Sequence, residues 1–183
     1  FRRVLFRSEQ GFITLEHHAP CRARMVTDTG RFFREIESNC WDPVQRLREC
    51  DELGVAVQVL STVPVLFEYG RPGQVAVDVA RFLNDHLAGV VRDHPTRFVG
   101  LGSVPLQAPD LAVAELERCC LELGLAGVQI GSHVNDWNLD EAELEPFWRR
   151  AAELGAAVFV HPWDMMGQHR MPRHWLPWLV GMP

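Results

Sequence analysis

A three-residue pattern, Glu-Leu-Gly, occurs three times in the chain and is followed each time by a short apolar run. The glycines and the runs that follow them are Gly54 with 55–60, Gly124 with 127–130, and Gly155 with 157–160. A glycine just past a helix can take the left-handed conformation that closes the last turn. A short apolar run bounded by breakers is typical of a buried strand. The pattern therefore predicts a repeated unit in which a helix passes through a glycine into a strand.

The predicted helices also have start signals. An aspartate followed by proline places a capping side chain before a proline at the first helical position. Asp140, with Glu143 three residues later, has the form of a capping box. The start signals lie at Asp42-Pro43, Pro72-Gly73, Pro109-Asp110 and Asp140. A further apolar run, 98–102, predicts a strand between the second and third helices, so helix and strand alternate four times.

This alternation predicts an α/β fold with a parallel sheet. Two architectures fit it, a doubly wound open sheet and a (β/α)8 barrel. No Gly-x-Gly-x-x-Gly motif follows a strand and no Walker A loop is present, which disfavours a dinucleotide-binding sheet. A complete barrel needs about 250 residues, whereas this chain has 183. If the fold is a barrel, the chain corresponds to roughly its first half.

The chain begins with Phe1 rather than methionine, and residues 1–8 contain three arginines. We treat 1–8 as a non-native or uncertain segment and exclude it from the fold prediction. Residues 9–183 are assigned to the N-terminal half of a single barrel domain.

Composition excludes several classes of protein. The net charge is −6 and the pI is about 5.7, so we expect no nucleic-acid partner. No apolar run approaches the roughly 18 residues of a membrane span, so we expect no membrane partner. The five cysteines form no Cys-x-x-Cys pair and are odd in number. They indicate reduced thiols in a cytoplasmic protein rather than disulfides or a thiolate metal site.

The residues that follow the strands matter because chemistry in α/β folds occurs at the carboxyl ends of strands. The strand 157–160 runs directly into His161, and Pro162 stops it. The other three strands are followed by Ser61-Thr62, Ser103 and Ser132-His133. With Trp163, these residues predict a pocket that has a metal-binding nitrogen and an aromatic wall. His161 is the first candidate for a metal ligand or an acid–base group, although a structural histidine fits the same pattern.

Arg34 follows Phe32 and Phe33, and a guanidinium behind aromatic rings can hold a carboxylate through two hydrogen bonds. A solvated arginine fits the same residues. His17 and His18 are adjacent, so on a strand they would face opposite ways and would not share one metal.

Six segments resemble the aminocarboxymuconate-semialdehyde decarboxylase family of the amidohydrolase superfamily. They are NCWDP at 39–43, LSTVPV at 60–65, RFVGLGSVPLQAPDLAV at 97–113, GVQIGSHVND at 127–136, HPWDMMGQHRM at 161–171 and WLPWLVGMP at 175–183. The resemblance runs from about residue 11 to residue 183, and the segments occur in the family's order.

The resemblance implies a partial (β/α)8 TIM-like barrel of the metal-dependent amidohydrolase type. It implies zinc or another divalent metal, no organic cofactor, and an oxygen-independent decarboxylation. The acidic small-molecule substrate would be 2-amino-3-carboxymuconate 6-semialdehyde, at the branch of the kynurenine route of tryptophan catabolism that leads to quinolinate. The full-length protein would be a homodimer.

By position, the resemblance makes His161 a metal ligand and Arg34 the residue that grips a substrate carboxylate. The other substrate-binding residues it implies are Phe33, Trp178, Trp163 and Met165.

Parts of the family's site are missing from the chain. A lysine found near the substrate in some members falls close to Asp28. The family's His-x-His pair is absent from 1–8, and its catalytic histidine and aspartate ligand would lie beyond residue 183. The chain would carry one metal ligand of four and no catalytic residue, so we expect it to be inactive by itself. The alternatives are a non-catalytic structural or dimerisation module, and a related decarboxylase or hydrolase with another acidic substrate.

Overall fold

The structure is a computed structural model that describes residues 13–27, 30–163, 168–171 and 173–180. The chain forms two compact units, Phe1–Ala56 and Val57–Pro183. None of the helices in the described residues is long and apolar enough to cross a membrane.

The first unit contains a three-stranded antiparallel sheet. Its strands, in sheet order, are β1 (Thr14–Ala19), β2 (Arg22–Val26) and β3 (Phe32–Glu37). A two-residue turn joins β1 to β2, because Ala19 pairs with Arg22. The central strand β2 supplies the buried side chains Ala23, Met25 and Val26. This sheet was not predicted from the sequence.

Helix α1 (Pro43–Glu52) follows the sheet and starts where the Asp-Pro signal predicts. Oδ1 of Asp42 accepts hydrogen bonds from the backbone N–H groups of Val44 at 2.9 Å and Gln45 at 3.4 Å. Pro43 occupies the first turn, where it has no N–H to leave without a partner. The predicted capping role of Asp42 is confirmed.

The second unit contains a four-stranded parallel sheet with helices between its strands. The strands are β4 (Gln58–Leu60), β5 (Phe98–Ser103), β6 (Gly127–Gly131) and β7 (Ala157–His161), and the helices are α2 (Gly73–Asp93), α3 (Pro109–Glu117), α4 (Glu145–Leu154) and α5 (Leu176–Leu179). The sheet order is β4-β5-β6-β7, the same as the chain order. A doubly wound sheet reverses its order at a switch point, whereas a (β/α)8 barrel does not. The predicted α/β fold with part of a (β/α)8 barrel is confirmed.

Each of the three predicted helix-to-strand glycines has the left-handed conformation. The φ angles are +70° at Gly54, +68° at Gly124 and +61° at Gly155. They follow α1, a π-helical turn (Arg118–Glu122) that continues α3, and α4. The recurring pattern therefore marks real helix ends, because this backbone conformation is strained for other residues.

Helix α4 begins later than predicted. It starts at Glu145 after a 3-10 turn (Ala142–Leu144), and no side chain caps either element. The capping role predicted for Asp140 is therefore wrong. Pro146 explains the shift, because proline is tolerated only in the first turn of a helix.

The core of the second unit lies between one face of the parallel sheet and the helices. Val128 and Ile130 of β6 are fully buried there, against Leu116, Leu144 and Phe147. Because successive side chains of a strand alternate between faces, the remaining residues of β6 and β7 lie on the opposite face. We call this opposite face, which carries Gln129, Gly131, Phe159 and His161, the inner face, since in a barrel it lines the interior.

A buried polar cluster joins α2, β5 and α3. The carboxylate of Glu115, with no exposed surface, accepts hydrogen bonds from Asn84 Nδ2 at 2.7 Å, Arg118 Nη2 at 2.8 Å and Arg81 Nε at 3.2 Å. Asn84 also bonds the backbone N–H and carbonyl of Ser103 at 2.7 and 2.9 Å. A carboxylate can be buried here because its charge is paired and its oxygens are bonded. These five residues form the Glu115 cluster.

Candidate functional site

Polar side chains collect where the strands of the inner face end. Ser103 and Gln129 are register partners on β5 and β6, and Gly131 and His161 are register partners on β6 and β7. Ser61, just beyond β4, donates a hydrogen bond from its hydroxyl to Oε1 of Gln129. The carboxyl ends of the parallel strands therefore bring together polar residues from different strands, as the sequence predicts.

Gln129 is a site residue that sequence reasoning missed, because it lies inside an apolar strand. It is 1% exposed, and its Nε2 donates to the carbonyl oxygen of Thr62 at 3.1 Å. The hydroxyl of Thr62 is buried and has no hydrogen-bond partner among the described residues. An amide within an apolar strand must be hydrogen-bonded to be tolerated. That requirement is the signal that could have identified Gln129.

His161 ends β7 and is partly buried. Its Nδ1 lies 2.7 Å from the carbonyl oxygen of Pro162. A carbonyl oxygen can only accept, so Nδ1 carries the hydrogen and the neutral ring has its lone pair on Nε2. Metal-binding histidines commonly use one nitrogen as the ligand and donate from the other to a carbonyl or carboxylate. The geometry of His161 fits that role.

The described residues do not complete a metal site. No group of three or more His, Cys, Asp or Glu side chains that could hold a metal ion occurs among them. Zinc sites in proteins use at least three protein ligands. The orientation of His161 thus fits a metal, whereas the set of ligands around it is incomplete. Met165 and the side chain of Trp178 lie outside the described residues.

Trp163 is held by groups from neighbouring strand ends. Its backbone N–H donates to Oγ of Ser132 at 3.2 Å, and its ring contacts the ring of Phe67 edge-to-face with centroids 5.7 Å apart. Phe67 stacks on Tyr69 at 5.3 Å, and both of these rings are buried. Trp163 therefore stands at the strand ends where an aromatic wall was predicted. Phe67 and Tyr69, which support it, were not singled out from the sequence.

Tyr69 also anchors the end of β6. Its hydroxyl oxygen accepts a hydrogen bond from the backbone N–H of Gly131 at 3.0 Å. A Cβ added to Gly131 would lie 2.9 Å from Cε2 of Tyr69 and 3.1 Å from Cβ of Trp163. Burial raises the pKa of the Tyr69 phenol well above its usual range. The phenol therefore stays neutral at any ordinary working pH.

Three other histidines, His17, His18 and His133, have contacts of their own. His17 packs edge-on against Trp41 at 4.9 Å, whereas Nε2 of His18 lies 3.5 Å from a carboxylate oxygen of Glu35. Nδ1 of His133 lies 3.4 Å from Oγ of Ser132. His17 and His18 thus have different partners, in line with the expectation that they would not share a metal.

In the first unit, Phe33 and Arg34 lie at a β-bulge of β3. Val26 pairs with Phe32 and Met25 pairs with Arg34, which leaves Phe33 as the extra residue. Bulges re-aim side chains and are frequent near functional sites. Both side chains are exposed, and no ion pair joins the Arg34 guanidinium to another described residue. Arg34 is therefore available to bind a carboxylate.

Several relatives of this chain are named decarboxylases. The 2-amino-3-carboxymuconate-6-semialdehyde decarboxylase of Dictyostelium discoideum is 56% identical, over 94% of this chain and 48% of its own length. The protein of the same name from Caenorhabditis elegans is 33% identical, over 94% of this chain and 55% of its own length. The chain spans about half the length of these curated relatives.

Among solved structures, the dihydroxybenzoic acid decarboxylase of Polaromonas sp. JS666, with bound manganese and the inhibitor 2-nitroresorcinol, is similar in fold. The TM-score is 0.65 at 32% sequence identity, and the match covers 74% of this chain and 42% of that chain. In the family comparison, residues 13–179 match the amidohydrolase family. That match includes β1 to β7 and the intervening helices. The chain therefore belongs to the amidohydrolase family.

Proposed function

We propose that the polypeptide carrying this chain is a metal-dependent, oxygen-independent decarboxylase that converts 2-amino-3-carboxymuconate 6-semialdehyde to 2-aminomuconate semialdehyde and CO2. The observation that carries this proposal is the 56% identity to the Dictyostelium decarboxylase over 94% of the chain. The reaction would act in the kynurenine route of tryptophan catabolism and divert flux from quinolinate. Residues 9–183 would belong to one barrel domain, a proposal supported by the continuous family match across both units.

His161 would be one ligand of a divalent metal, and we propose zinc, although the similar Polaromonas structure contains manganese. A bound metal of this kind lowers the pKa of its water and supplies hydroxide near neutral pH. The carbonyl of Pro162 holds Nδ1, so that Nε2 is the atom that would bind the metal. Because one imidazole cannot hold zinc tightly, the 183 residues alone are expected to be inactive.

The substrate is an acid, and each proposed contact suits a part of such a molecule. Arg34, whose guanidinium forms no ion pair with another described residue, would hold a carboxylate, with Phe33 beside it at the bulge. Trp163 would form an apolar wall, supported by Phe67. Met165 and Trp178 are proposed as further substrate contacts on the resemblance alone.

The remaining features of the proposal concern the setting of the enzyme. A homodimer is proposed on the resemblance, with no organic cofactor and no nucleic-acid or membrane partner. A cytoplasmic location is supported by the five cysteines, all of which are free thiols.

The experiment that tests the metal proposal is elemental analysis of the full natural polypeptide. We expect about one zinc per subunit and loss of most of it in His161→Ala. His18→Ala is the matched control, because His18 lies on β1 and has no proposed role in metal binding. Metal content that is unchanged in His161→Ala would contradict the proposal.

The carboxylate contact is tested separately by steady-state kinetics. Arg34→Ala should raise KM for the acidic substrate, since the lost interaction anchors its charge. Arg24→Ala, on the neighbouring strand β2, controls for the removal of an exposed positive charge. Equal effects of the two substitutions on KM would argue against a specific contact.

A second candidate is a decarboxylase of hydroxybenzoates, which the similarity to the Polaromonas dihydroxybenzoic acid decarboxylase favours. Comparison of CO2 release from 2-amino-3-carboxymuconate 6-semialdehyde and from 2,6-dihydroxybenzoate separates the two. A larger kcat/KM for the benzoate would replace the first candidate by the second.

A further inference from the structure

One peptide unit lies between the candidate metal ligand and a serine at the neighbouring strand end. Its carbonyl belongs to Pro162 and accepts the hydrogen bond from Nδ1 of His161 at 2.7 Å. Its N–H belongs to Trp163 and donates to Oγ of Ser132 at 3.2 Å. Because a peptide unit is planar and rigid, its two ends cannot turn independently. His161, this peptide and Ser132 therefore form one continuous chain of hydrogen bonds.

The serine end of this chain is itself fixed. Ser132 follows Gly131, which is the register partner of His161 and donates its N–H to Tyr69. The hydroxyl oxygen of Ser132 lies 3.5 Å from the carbonyl oxygen of Trp163 and 3.4 Å from Nδ1 of His133. It remains free to accept from the backbone N–H of Trp163. The hydroxyl is thus held by contacts to its neighbour His133 and to Trp163, and its backbone directly follows β6.

We propose that Ser132 is a positioning residue that fixes the orientation and the tautomer of His161 through the peptide between Pro162 and Trp163. Bonding at the N–H of an amide polarises the amide and makes its carbonyl a better acceptor, so each bond strengthens the other. Without the serine oxygen, the peptide plane can rotate and take the Pro162 carbonyl away from Nδ1. The ring would then lose the bond that keeps its lone pair on Nε2.

This inference rests on the proposed function only for the identity of the metal that Nε2 would bind. The hydrogen-bond chain itself needs no metal and no substrate. Ser132 does not contact reacting atoms in this proposal, so its effect must appear in the orientation and the tautomer of the His161 ring.

The test is a nitrogen-15 NMR measurement of the histidine tautomers in the metal-free full natural polypeptide. It is made at about pH 8.5, above the ordinary pKa range of histidine, and His161→Ala assigns the signal. We expect the Nδ1–H form in the wild type, a mixture of both tautomers in Ser132→Ala, and return of the Nδ1–H form in Ser132→Thr, which keeps the hydroxyl.

Thr27→Val is the matched control, because its hydroxyl also accepts a backbone N–H, that of Arg31 at 3.1 Å. It should leave the His161 signal unchanged. An Nε2–H form in the wild type overturns the proposal without any variant, even if Ser132→Ala fails to fold. An unchanged signal in a folded Ser132→Ala also overturns it. Because no turnover is measured, absence of decarboxylase activity would defeat the proposed function and leave this result intact.

Discussion

At the scale of single residues, Tyr69 is the one tyrosine of the chain, and the chain contains no lysine. Its phenol is buried, stacks with Phe67 and accepts the N–H of Gly131. Tyr69 is therefore a side chain whose titration matters at alkaline pH. Ionisation of this one phenol should therefore destabilise the end of β6 at alkaline pH.

Burial raises the pKa of Tyr69 in the folded protein above its unfolded value of about 10. The unfolded chain then loses the proton first, so the contribution to stability is complete below about pH 10 and declines as the pH rises further. Urea unfolding between about pH 8 and about pH 11 should show this decline. Tyr69→Phe should show a shallower decline, since it removes the phenol whose pKa is raised. Parallel curves for the two proteins would contradict the prediction.

Gly131→Ala should destabilise the protein by about 1–3 kcal/mol, the usual cost of forcing an extra carbon into a packed site. The new Cβ would press on Tyr69 and Trp163 together. Gly70→Ala is the matched control, because a Cβ there meets nothing within 4 Å. Urea unfolding of both variants measures the difference in the free energy of unfolding. Equal values would contradict the prediction, because they would show that the end of β6 moves to accommodate the new carbon.

The place of His161 at the end of β7 could be anticipated from sequence, because a histidine that ends an apolar run before a proline marks the end of a strand. Gln129 and Tyr69 could not be anticipated, because each depends on a partner that is distant in sequence. Gln129 bonds Ser61 at a sequence separation of 68, and Tyr69 bonds Gly131 at a separation of 62. Local pattern carries no information on such pairs. The bulge at Phe33 was hidden for the same reason, since it is defined by the register against β2.

At the scale of elements, the Glu115 cluster fixes α2, β5 and α3 to one another. Glu115→Ala should cost about 3–5 kcal/mol, because it leaves Arg118 and Asn84 without their shared acceptor in a buried place. Arg149→Ala, which breaks an exposed pair with Glu145, should change stability by less than about 1 kcal/mol. Thermal or urea unfolding compares the two. A small loss of stability in Glu115→Ala would contradict this, because it would mean that water molecules replace the hydrogen bonds of the Glu115 carboxylate.

The helices and strands differed in how well they could be predicted. The parallel strands and their helices were predicted because the glycines and apolar runs are local signals, and the start of α1 followed from Asp42 and Pro43. The antiparallel strands β1 to β3 were missed because most of their residues are exposed and polar. The start of α4 differs from the prediction because Pro146 lies in the first turn of the helix, and the capping pattern at Asp140 carries no information on that constraint.

At the scale of the whole molecule, the two outer strands of the parallel sheet, β4 and β7, carry exposed apolar side chains. Val57, just before β4, is 53% exposed and Val59 within β4 is 58% exposed, whereas Phe159 and Val160 of β7 are 49% and 42% exposed. Within the part of the chain that the structure describes, the outer edges of β4 and β7 also present backbone groups without a strand partner. These two properties together favour association through the sheet.

The 183-residue polypeptide, expressed alone, should bind a hydrophobic dye and unfold without a sharp thermal transition. The double variant Val59→Thr with Phe159→Thr should bind less dye, since it removes apolar surface from both outer strands. Leu53→Thr is the control, because Leu53 is an isolated exposed leucine beyond α1. Weak dye fluorescence and a cooperative melting curve in the parent chain would contradict this expectation.

The agreement between chain order and sheet order has a consequence for synthesis. Each new strand of the second unit pairs with the strand made just before it. This order keeps the sequence separation of paired strands smaller than any other order of the same four strands would. A ribosome delivering the chain from its amino end would therefore present each strand to a partner that has already emerged. The sheet can grow one strand at a time, in the direction of translation.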